Sequence, residues 1–476
     1  MSHYQTPPKD RVPIIQKAAF GAGHLVNNLL PGSLGVFSFF LLTAFGMDPF
    51  LAGLLGGLPR IYDALSDPIM GYISDNTQSR WGRRRPYIFV GAILSGLFFM
   101  LLWQLYAENS QTYNFWYFLI FSIIYLTGNT IFSTPLIGLG YEMTFDYNER
   151  TRLMAFAQTI GQISWMIVPW FWVLIANPNL FETQAVGVRQ LSVVVGTVCL
   201  LFGIMPALFC KEVDQSNLTN RAELTFKNIF TNLKGLVKSM IQISKNKPFV
   251  KLCGATFLVF NGFQMVASFS YFIIVFYMFK GNYGAAGTWP AWFSTISAIT
   301  TAFLIIPVIS WMSDKWGKRN AFIISTAISM VGYSLKWWGF NPDNPWLIFM
   351  PIPLMVFGIG GLFTLMMSMT ADVCDLDELN NGMPRKEGTF GAIYWWMVKL
   401  GQGLALVLGG LVLKLVGFDQ NEVIQTAETL TRLRLADILI PAATAGLAIW
   451  VMWNYDLSED KAREIKEELV RRRGEL

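Results

Sequence analysis

Long apolar runs recur from one end of the chain to the other, and each is long enough to cross a bilayer as a helix. Runs such as YIFVGAILSGLFFMLLW (87–103) do not alternate apolar and polar residues, as the strands of a membrane β-barrel do. The pattern therefore predicts an all-α polytopic membrane protein. The twelve predicted transmembrane spans are 16–45, 50–74, 87–106, 114–141, 153–177, 189–209, 249–279, 287–312, 320–340, 346–371, 388–416 and 435–455.

The composition agrees with this interpretation, because 53% of the residues are hydrophobic and only 14% are charged. A soluble domain carries about 25% charged residues. Lys and Arg concentrate in the loops after spans 2, 6 and 8, and the loops near 107–113, 178–188 and 341–345 contain none. The positive-inside rule then places both termini in the cytoplasm of a multi-pass protein of the cell (inner or plasma) membrane. The net charge of +5 reflects this asymmetry, so no nucleic-acid partner is expected.

A hydrophilic stretch divides the spans into two sets of six. We expect an N-terminal six-helix bundle that holds a cation site at 1–210, a cytoplasmic linker at 211–247, a C-terminal six-helix bundle at 248–456 and a cytoplasmic tail at 457–476. Apolar residues recur at helical spacing between the lysines of the linker, which predicts an amphipathic helix on the membrane surface. The tail is predicted to be a charged, solvated helix.

Two pairs of loops echo each other across the two halves. SDNTQSRWGRRRPYIF (74–89) follows span 2 and SDKWGKRNAFI (313–323) follows span 8. YEMTFDYNERTR (141–152) and TADVCDLDELNNGMPRKEG (370–388) follow spans 4 and 10. Paired loops at equivalent places indicate an internal duplication, which many secondary transporters have.

The charged residues of these loops are predicted to form a conformational latch, an ionic clasp between neighbouring helices that breaks when the assembly moves. Glu142 is expected to pair with Arg150 or Arg152 at the cytoplasmic end of span 4. The predicted latch residues are Asp75, Arg80, Arg83, Arg84, Glu142, Arg150, Asp314, Arg319 and Asp372.

Span 2 carries an unusual density of charge in RIYDALSDPIMGYISD (60–75). An ionised aspartate in mid-span costs roughly 2.5–3.5 kcal/mol, so it persists where it pairs or lines water. Asp63 and Asp67 are four residues apart and share a helix face. Two carboxylates held close repel each other unless a cation or a proton lies between them, which makes the pair a predicted cation receptor. Arg60, one turn earlier, would pair with Asp63 when the cation leaves. The alternative is that Asp67, just before Pro68, serves a helix kink or neutralises Arg60.

The paired loops and the charged segment of span 2 resemble the motifs of a known family. The paired loops are similar to the signature of the major facilitator superfamily. RIYDALSDPIMGYISDNTQSRWGRRRPYI is similar to the sodium- or proton-coupled sugar symporters of the glycoside–pentoside–hexuronide family, of which melibiose permease is typical. The further matches are GAGHLVNN (21–28), TPLIGLGYEMTFDYNERTR (134–152), ADVCDLDE (371–378) and Lys399, so that the resemblance runs from about residue 16 to 455.

The resemblance implies the major facilitator fold, with two pseudo-symmetric six-helix bundles. It also implies a cation site at Asp63 and Asp67 with Thr130 as a hydroxyl ligand. The coupling ion would be H⁺ or Na⁺, and no cofactor is expected besides it. A Na⁺ ion at these three residues is the one metal considered.

The chain departs from the melibiose-type pattern at several positions. It has Asn27-Asn28 in place of a Lys-Asp pair, Ser133 in place of an aspartate, and Gln158 in place of a sugar-holding arginine. The Asn-Asn form resembles the glucuronide-carrying branch instead. Fewer anionic ligands favour coupling to a proton over coupling to sodium. A span 1 without carboxylates, together with Lys399, would tolerate an acidic sugar such as a hexuronide, since an aspartate there would repel it.

Recognition of a polyol needs hydrogen-bonding side chains and an apolar face for stacking. Packing is the plainer role for most such residues, and tryptophans also anchor spans at membrane interfaces. A lone lysine as far inside a span as Lys399 must face a cavity or pair with a carboxylate. Phe363 falls where the family has a cavity aromatic. The candidate substrate-binding residues are Asn27, Asn28, Arg60, Gln158, Gln162, Phe363, Trp395 and Lys399.

The leading hypothesis is cation-coupled secondary active symport of a glycoside by alternating access. We expect a monomer whose partners are a small-molecule sugar and the lipid bilayer. Two alternatives stay open: a lipid or lysolipid carrier on the same fold, and a non-transporting membrane sugar sensor. No enzyme activity is expected, because the sequence has no nucleophile–base constellation, no His-rich metal site and no GxxxxGK[ST] motif.

Overall fold

The computed structural model describes residues 11–77, 79–144, 147–212, 245–381, 387–457 and 459–473, together with 231, 234, 235, 238 and 241. The regular secondary structure of these residues is helical. The chain divides into two compact units, Met1–Leu233 and Lys234–Leu476. Most of the predicted amphipathic helix of the linker lies outside the described residues.

The described residues of the first unit include six long helices, and each matches one of the first six predicted spans. They are α1 Ile14–Thr43, α2 Pro49–Asn76, α3 Arg85–Leu102, α4 Gln111–Glu142, α5 Tyr147–Ala176 and α6 Gln184–Phe209. The start of α2 is fixed by Asp48, whose side chain accepts the N–H groups of Phe50 at 2.9 Å and Leu51 at 3.2 Å. Proline has no backbone N–H, so Pro49 at the first helical position has no donor that needs a cap. Helix α2 packs on α4, and α1 packs on α5 and α6.

The second unit has more helical segments than predicted spans. They are α7 Lys247–Phe272, α8 Tyr283–Ala286, α9 Trp289–Thr300, α10 Ile306–Trp316, α11 Lys318–Gly339, α12 Ile352–Met355, α13 Phe357–Asn381, α14 Glu387–Leu415, α15 Ala427–Trp453 and α16 Glu459–Arg473. A π-helical segment, Ile273–Met278, extends α7, and a second, Thr301–Ile305, joins α9 to α10. Helices α11 and α15 pack together, and α7 packs on both α14 and α15.

Within the described residues, ten helical stretches are long and apolar enough to cross a membrane by length and composition. Predicted spans 2 and 9 are not among them, although they form α2 of 28 residues and α11 of 22 residues. Charged side chains lower the hydropathy of both helices, among them Asp63 and Asp67 in α2 and Lys318 and Lys336 in α11. The all-α fold class is confirmed, and these two spans are those that hydropathy alone does not find.

The C-terminal tail differs from the solvated helix expected of it. Helix α16 packs against α13. Ile465 and Leu469 lie four residues apart on one face of α16, and each is only 5% exposed. The tail is rich in charged residues, but it also carries a narrow apolar stripe. That stripe is buried on the second unit.

Candidate functional site

A carboxylate–hydroxyl cluster lies where α2 packs against α4. Thr130 of α4 is buried, and its Oγ1 lies 3.3 Å from Asp63 Oδ1 and 3.1 Å from Asp67 Oδ1. The two aspartates therefore share one face of α2, as their spacing predicted. They form a like-charge pair, and a cation or a proton placed between them relieves the repulsion.

Two further hydroxyls complete this cluster. Ser66 Oγ lies 3.1 Å from Thr130 Oγ1, and Thr134 Oγ1 donates to Asp67 Oδ1 at 3.5 Å. Sequence analysis missed both residues. The available signal was spacing, since Ser66 lies between the two aspartates and Thr134 follows Thr130 by one helical turn. The donor set of the cluster is entirely oxygen, which suits a hard cation or a proton.

Arg60 approaches the cluster from the preceding turn of α2. Its Nη1 lies 3.9 Å from Asp63 Oδ2, at the outer limit of an ion pair. Tyr62 and Thr127 join the same two helices through their hydroxyls, whose oxygens are 2.7 Å apart. The structure thus places Arg60 close enough to Asp63 to pair with it when no cation is bound. Its role in binding a substrate stays a prediction.

Helices α1 and α5 carry the predicted amide residues of the first unit, and their packing places Asn28 against Gly161. A Cβ atom on Gly161 would lie 2.7 Å from Asn28 Nδ2, so this amide occupies the space that the glycine leaves open. Asn27 and Asn28 are half-buried on α1. Gln158 and Gln162 lie four residues apart on an exposed face of α5. These two helices thus supply amide donors and acceptors, the chemistry that recognition of a polyol needs.

The second unit presents an aromatic face beside a lysine. Trp395 and Lys399 lie four residues apart on one face of α14. Phe363 of α13 stacks on Trp395, with ring centroids 6.4 Å apart and an interplanar angle of 25°. Both rings are exposed, and Lys399 is half-buried. A sugar ring stacks on exposed aromatic faces of this kind, and the ammonium group would favour a sugar that carries a negative charge.

The loop between α2 and α3 is built around Glu212, which sequence analysis missed. Its carboxylate accepts the backbone N–H groups of Arg83, Arg84 and Arg85, each at 2.9 Å. Gly82 has φ +98°, and a Cβ atom there would lie 2.7 Å from Glu212 Oε1. Glycine is therefore required at this position for both its conformation and its lack of a side chain. No local pattern in the sequence links Glu212 to a loop about 130 residues earlier.

In each unit, an arginine of the echoing loop segment also contacts the C-terminal end of another helix. Arg85 Nε donates to the carbonyl of Ala207 at 2.7 Å, near the end of α6. Arg319 Nε donates to the carbonyl of Met452 at 3.3 Å, near the end of α15. Both arginines thus satisfy carbonyl groups at a helix C-terminus, which lack partners within the helix. This shared arrangement supports the internal duplication that the echoing loops predicted.

The predicted latch residues occupy different environments. Lys318 Nζ lies 2.6 Å from Asp372 Oδ2 and joins the start of α11 to α13. Arg84 is buried, and its Nη1 lies 0.9 Å from the place that a Cβ atom on Gly138 would take, so it fills the space over that glycine. Arg80 and Asp314 are exposed. The side chains of Asp75, Glu142 and Arg150 lie outside the described part of the chain.

A buried carboxylate at the start of α5 was not predicted. Glu149 Oε1 lies 2.7 Å from Lys17 Nζ and accepts the N–H of Val12 at 3.0 Å, while Oε2 lies 3.6 Å from Arg152 Nη1. Burial raises the pKa of Glu149, but the hydrogen bonds from Lys17 and Val12 and the charges of Lys17 and Arg152 outweigh it, so the pKa lies below its usual range. Arg152, one of the two partners expected for Glu142, thus pairs with Glu149.

Comparison with known proteins identifies the family. A family model described as MFS/sugar transport protein matches residues 19–459, which is most of the chain. The protein belongs to this family. The sugar:cation symporter family of the major facilitator type, predicted from span 2 and its loop, is thereby confirmed.

The transporter is similar over nearly its full length to proteins named as a carrier homolog and as a symporter. It is 23% identical to a glucuronide carrier protein homolog of Escherichia coli, over 95% of both chains. It is also 23% identical to the sodium-dependent lysophosphatidylcholine symporter 1 of Gallus gallus, over 97% of this chain and 90% of that one. The crystal structure of the nucleoside transporter NupG matches 93% of the transporter and 100% of its own chain, with a TM-score of 0.64 and 17% identity. The last likeness shows the fold, which is that of a major facilitator transporter.

Proposed function

We propose that this transporter is a secondary active symporter that couples the movement of a glycoside to that of a cation by alternating access. The observation that carries the proposal is the convergence of Asp63 and Asp67 on the hydroxyl of Thr130. Two carboxylates beside one hydroxyl inside a membrane-spanning bundle bind a cation well, because their negative charges repel each other when no cation is present. The affinities for cation and sugar would then be linked reciprocally, which is the thermodynamic basis of symport.

The coupling ion that we propose is sodium. From the sequence alone, Ser133 in place of a carboxylate favours a proton, because sodium needs several oxygen ligands. Three hydroxyls, those of Ser66, Thr130 and Thr134, supply neutral oxygens around the two carboxylates. A proton needs one carboxylate and gains little from such a ring of oxygens, whereas sodium uses all of them. The sodium dependence in the name of the Gallus gallus relative is consistent with this choice.

The substrate that we propose is an acidic glycoside such as a hexuronide. Lys399 shares its helix face with Trp395, on which Phe363 stacks, so an ammonium group and an aromatic platform occur together. The amides of Asn28 and Gln158 supply hydroxyl recognition without a carboxylate that would repel an anion. A relative named as a glucuronide carrier homolog supports the same class of substrate.

Proteoliposomes of the purified protein test this function directly. Neutral glycosides, acidic glycosides and lysophosphatidylcholine would each be offered with an inward sodium gradient or an inward proton gradient, imposed separately. We expect the sodium gradient to drive accumulation of an acidic glycoside, and counterflow to occur without any gradient. Absence of counterflow for every substrate would point to a sensor rather than a carrier. Transport of the lysolipid alone would assign the protein to lipid transport, and accumulation driven only by the proton gradient would reverse the choice of ion.

Replacing Lys399 with glutamine tests the charge of the substrate. A charge-assisted hydrogen bond contributes about 1.5–3 kcal/mol, so the variant should bind an acidic glycoside roughly 10- to 100-fold more weakly. Binding of a neutral glycoside of similar size should change little. Lys414→Gln, in the last turn of the same helix α14, removes the same charge and serves as the control. Equal losses for acidic and neutral sugars in Lys399→Gln would show that the lysine acts in coupling rather than in recognition of the substrate.

A further inference from the structure

A cleft of about 380 Å³ opens on the second unit where α11 begins and α15 ends. It is lined by Trp316, Arg319, Asn320, Ile323, Ile324 and Trp453. Arg319 and Asn320 make one end of the cleft polar, and the two isoleucines and two indoles make the rest apolar. A ligand that matches this division has a polar head and an apolar tail.

Positive charge is concentrated at the polar end of the cleft. Lys315 Nζ lies 5.1 Å from the ring centroid of Trp311 and 5.6 Å from that of Trp316, so two indoles hold its ammonium beside the cleft. Arg319 contacts the carbonyls of Met452 and Trp453 through Nε and Nη2. A guanidinium carries five N–H donors, so Nη1 can donate to an anion without loss of these contacts. The polar end therefore favours a phosphate-like head group.

The surroundings of the cleft are those of a membrane interface. The indoles of Trp311, Trp316 and Trp453 are 54%, 40% and 59% exposed. Exposed tryptophans of membrane proteins concentrate at the level of the lipid head groups. Lys315, Lys318 and Arg319 lie at this end of the unit, which the positive-inside rule assigns to the cytoplasm. The cytoplasmic leaflet carries the anionic lipids that bind in basic pockets between helices.

We propose that this cleft binds an anionic phospholipid of the cytoplasmic leaflet. Its phosphate lies against Arg319 and Lys315, and one acyl chain runs along Ile323 and Ile324. Arg319 also joins the start of α11 to the end of α15, so a bound lipid strengthens a contact that already holds these helices together. The site is separate from the carboxylate–hydroxyl cluster of the first unit and from Lys399, and it does not depend on the identity of the transported substrate.

Native mass spectrometry of the full-length protein in a neutral detergent tests the proposal. Phosphatidylglycerol or phosphatidylcholine would be titrated into the wild type and into matched variants. Arg319→Gln should bind phosphatidylglycerol roughly 10-fold more weakly, which corresponds to the loss of one charge-assisted contact. Arg432→Gln is the control, because this exposed arginine pairs with Glu428 at the opposite end of α15. It should retain the affinity of the wild type.

A second pair of variants keeps the test decisive if Arg319→Gln fails to fold. Trp453→Leu removes one wall of the cleft and should weaken phosphatidylglycerol binding. Trp450→Leu alters a 72% exposed indole on the same helix that does not line the cleft, and it should not. Equal losses in both members of a pair, or equal binding of phosphatidylcholine, would overturn the proposal. So would full competition by glycerol phosphate, since that result would assign the cleft to a soluble phosphate compound.

Discussion

Asp67→Asn is expected to abolish uphill accumulation of the sugar while sparing exchange across the membrane. The amide keeps the size of the side chain but removes the charge that we propose binds the coupling cation. A sodium gradient of about tenfold contributes about 1.4 kcal/mol for each sodium ion that moves with the sugar. One sodium ion and one anionic sugar cross without net charge, so a membrane potential adds nothing, and the gradient supports an accumulation of roughly 10-fold. The variant should instead bring the sugar only to equal concentrations on both sides, and Asp63→Asn should behave alike because both carboxylates face Thr130.

The measurement is sugar uptake into proteoliposomes under an imposed sodium gradient, with counterflow recorded in parallel. Asp48→Asn is a matched control, because it makes the same change on the same helix at the N-cap of α2, where asparagine caps as well as aspartate. It should accumulate sugar like the wild type. If Asp63→Asn and Asp67→Asn both still concentrate the sugar, the carboxylate–hydroxyl cluster is not the coupling site.

The sequence predicted the spans and the charged face of α2 because both follow from local periodicity. Apolar runs of membrane length specify helices, and a spacing of four residues places Asp63 and Asp67 on one face. The partners of these residues could not be derived in the same way. Glu212 reaches the loop at Arg83 from about 130 residues away, and only the packing of α6 beside α3 brings them together. Tertiary contacts of this kind leave no periodic signal.

Lys336 and Asp437 could have been singled out from the sequence, but sequence analysis missed them. Each is an ionisable residue within a predicted span, as Lys399 is, and the same physical argument requires a partner for it. In the structure they pair with each other between α11 and α15, with side chains only 1% and 2% exposed. Ser270 of α7 lies 3.3 Å from Lys336 Nζ, which ties a third helix to the pair.

Arg434 lies one turn before Asp437 on α15 and is held by two aromatic rings. Its guanidinium carbon lies 4.1 Å from the ring centroids of both Tyr277 and Trp337, and Nη1 donates to the Tyr277 hydroxyl at 2.7 Å. Among the described residues, Lys336 and Arg434 are the two cations that act on the carboxylate of Asp437. Loss of Asp437 would leave both positive charges without this counter-charge.

Asp437→Ala is accordingly expected to destabilise the protein by about 3–5 kcal/mol, because it leaves the ammonium of Lys336 buried without its counter-charge. Lys336→Met with Asp437→Leu should recover most of this loss, since a well-packed apolar pair of similar volume replaces a buried ion pair at little cost.

Glu428→Ala is the control on the same helix. It breaks a pair with Arg432 whose members are more than half exposed, and exposed pairs contribute about 0–1 kcal/mol. The free energy of unfolding would be measured in detergent micelles for all three variants. A single Asp437→Ala variant as stable as Glu428→Ala would mean that Lys336 finds another partner or loses its proton, and that the pair does not hold α11 against α15.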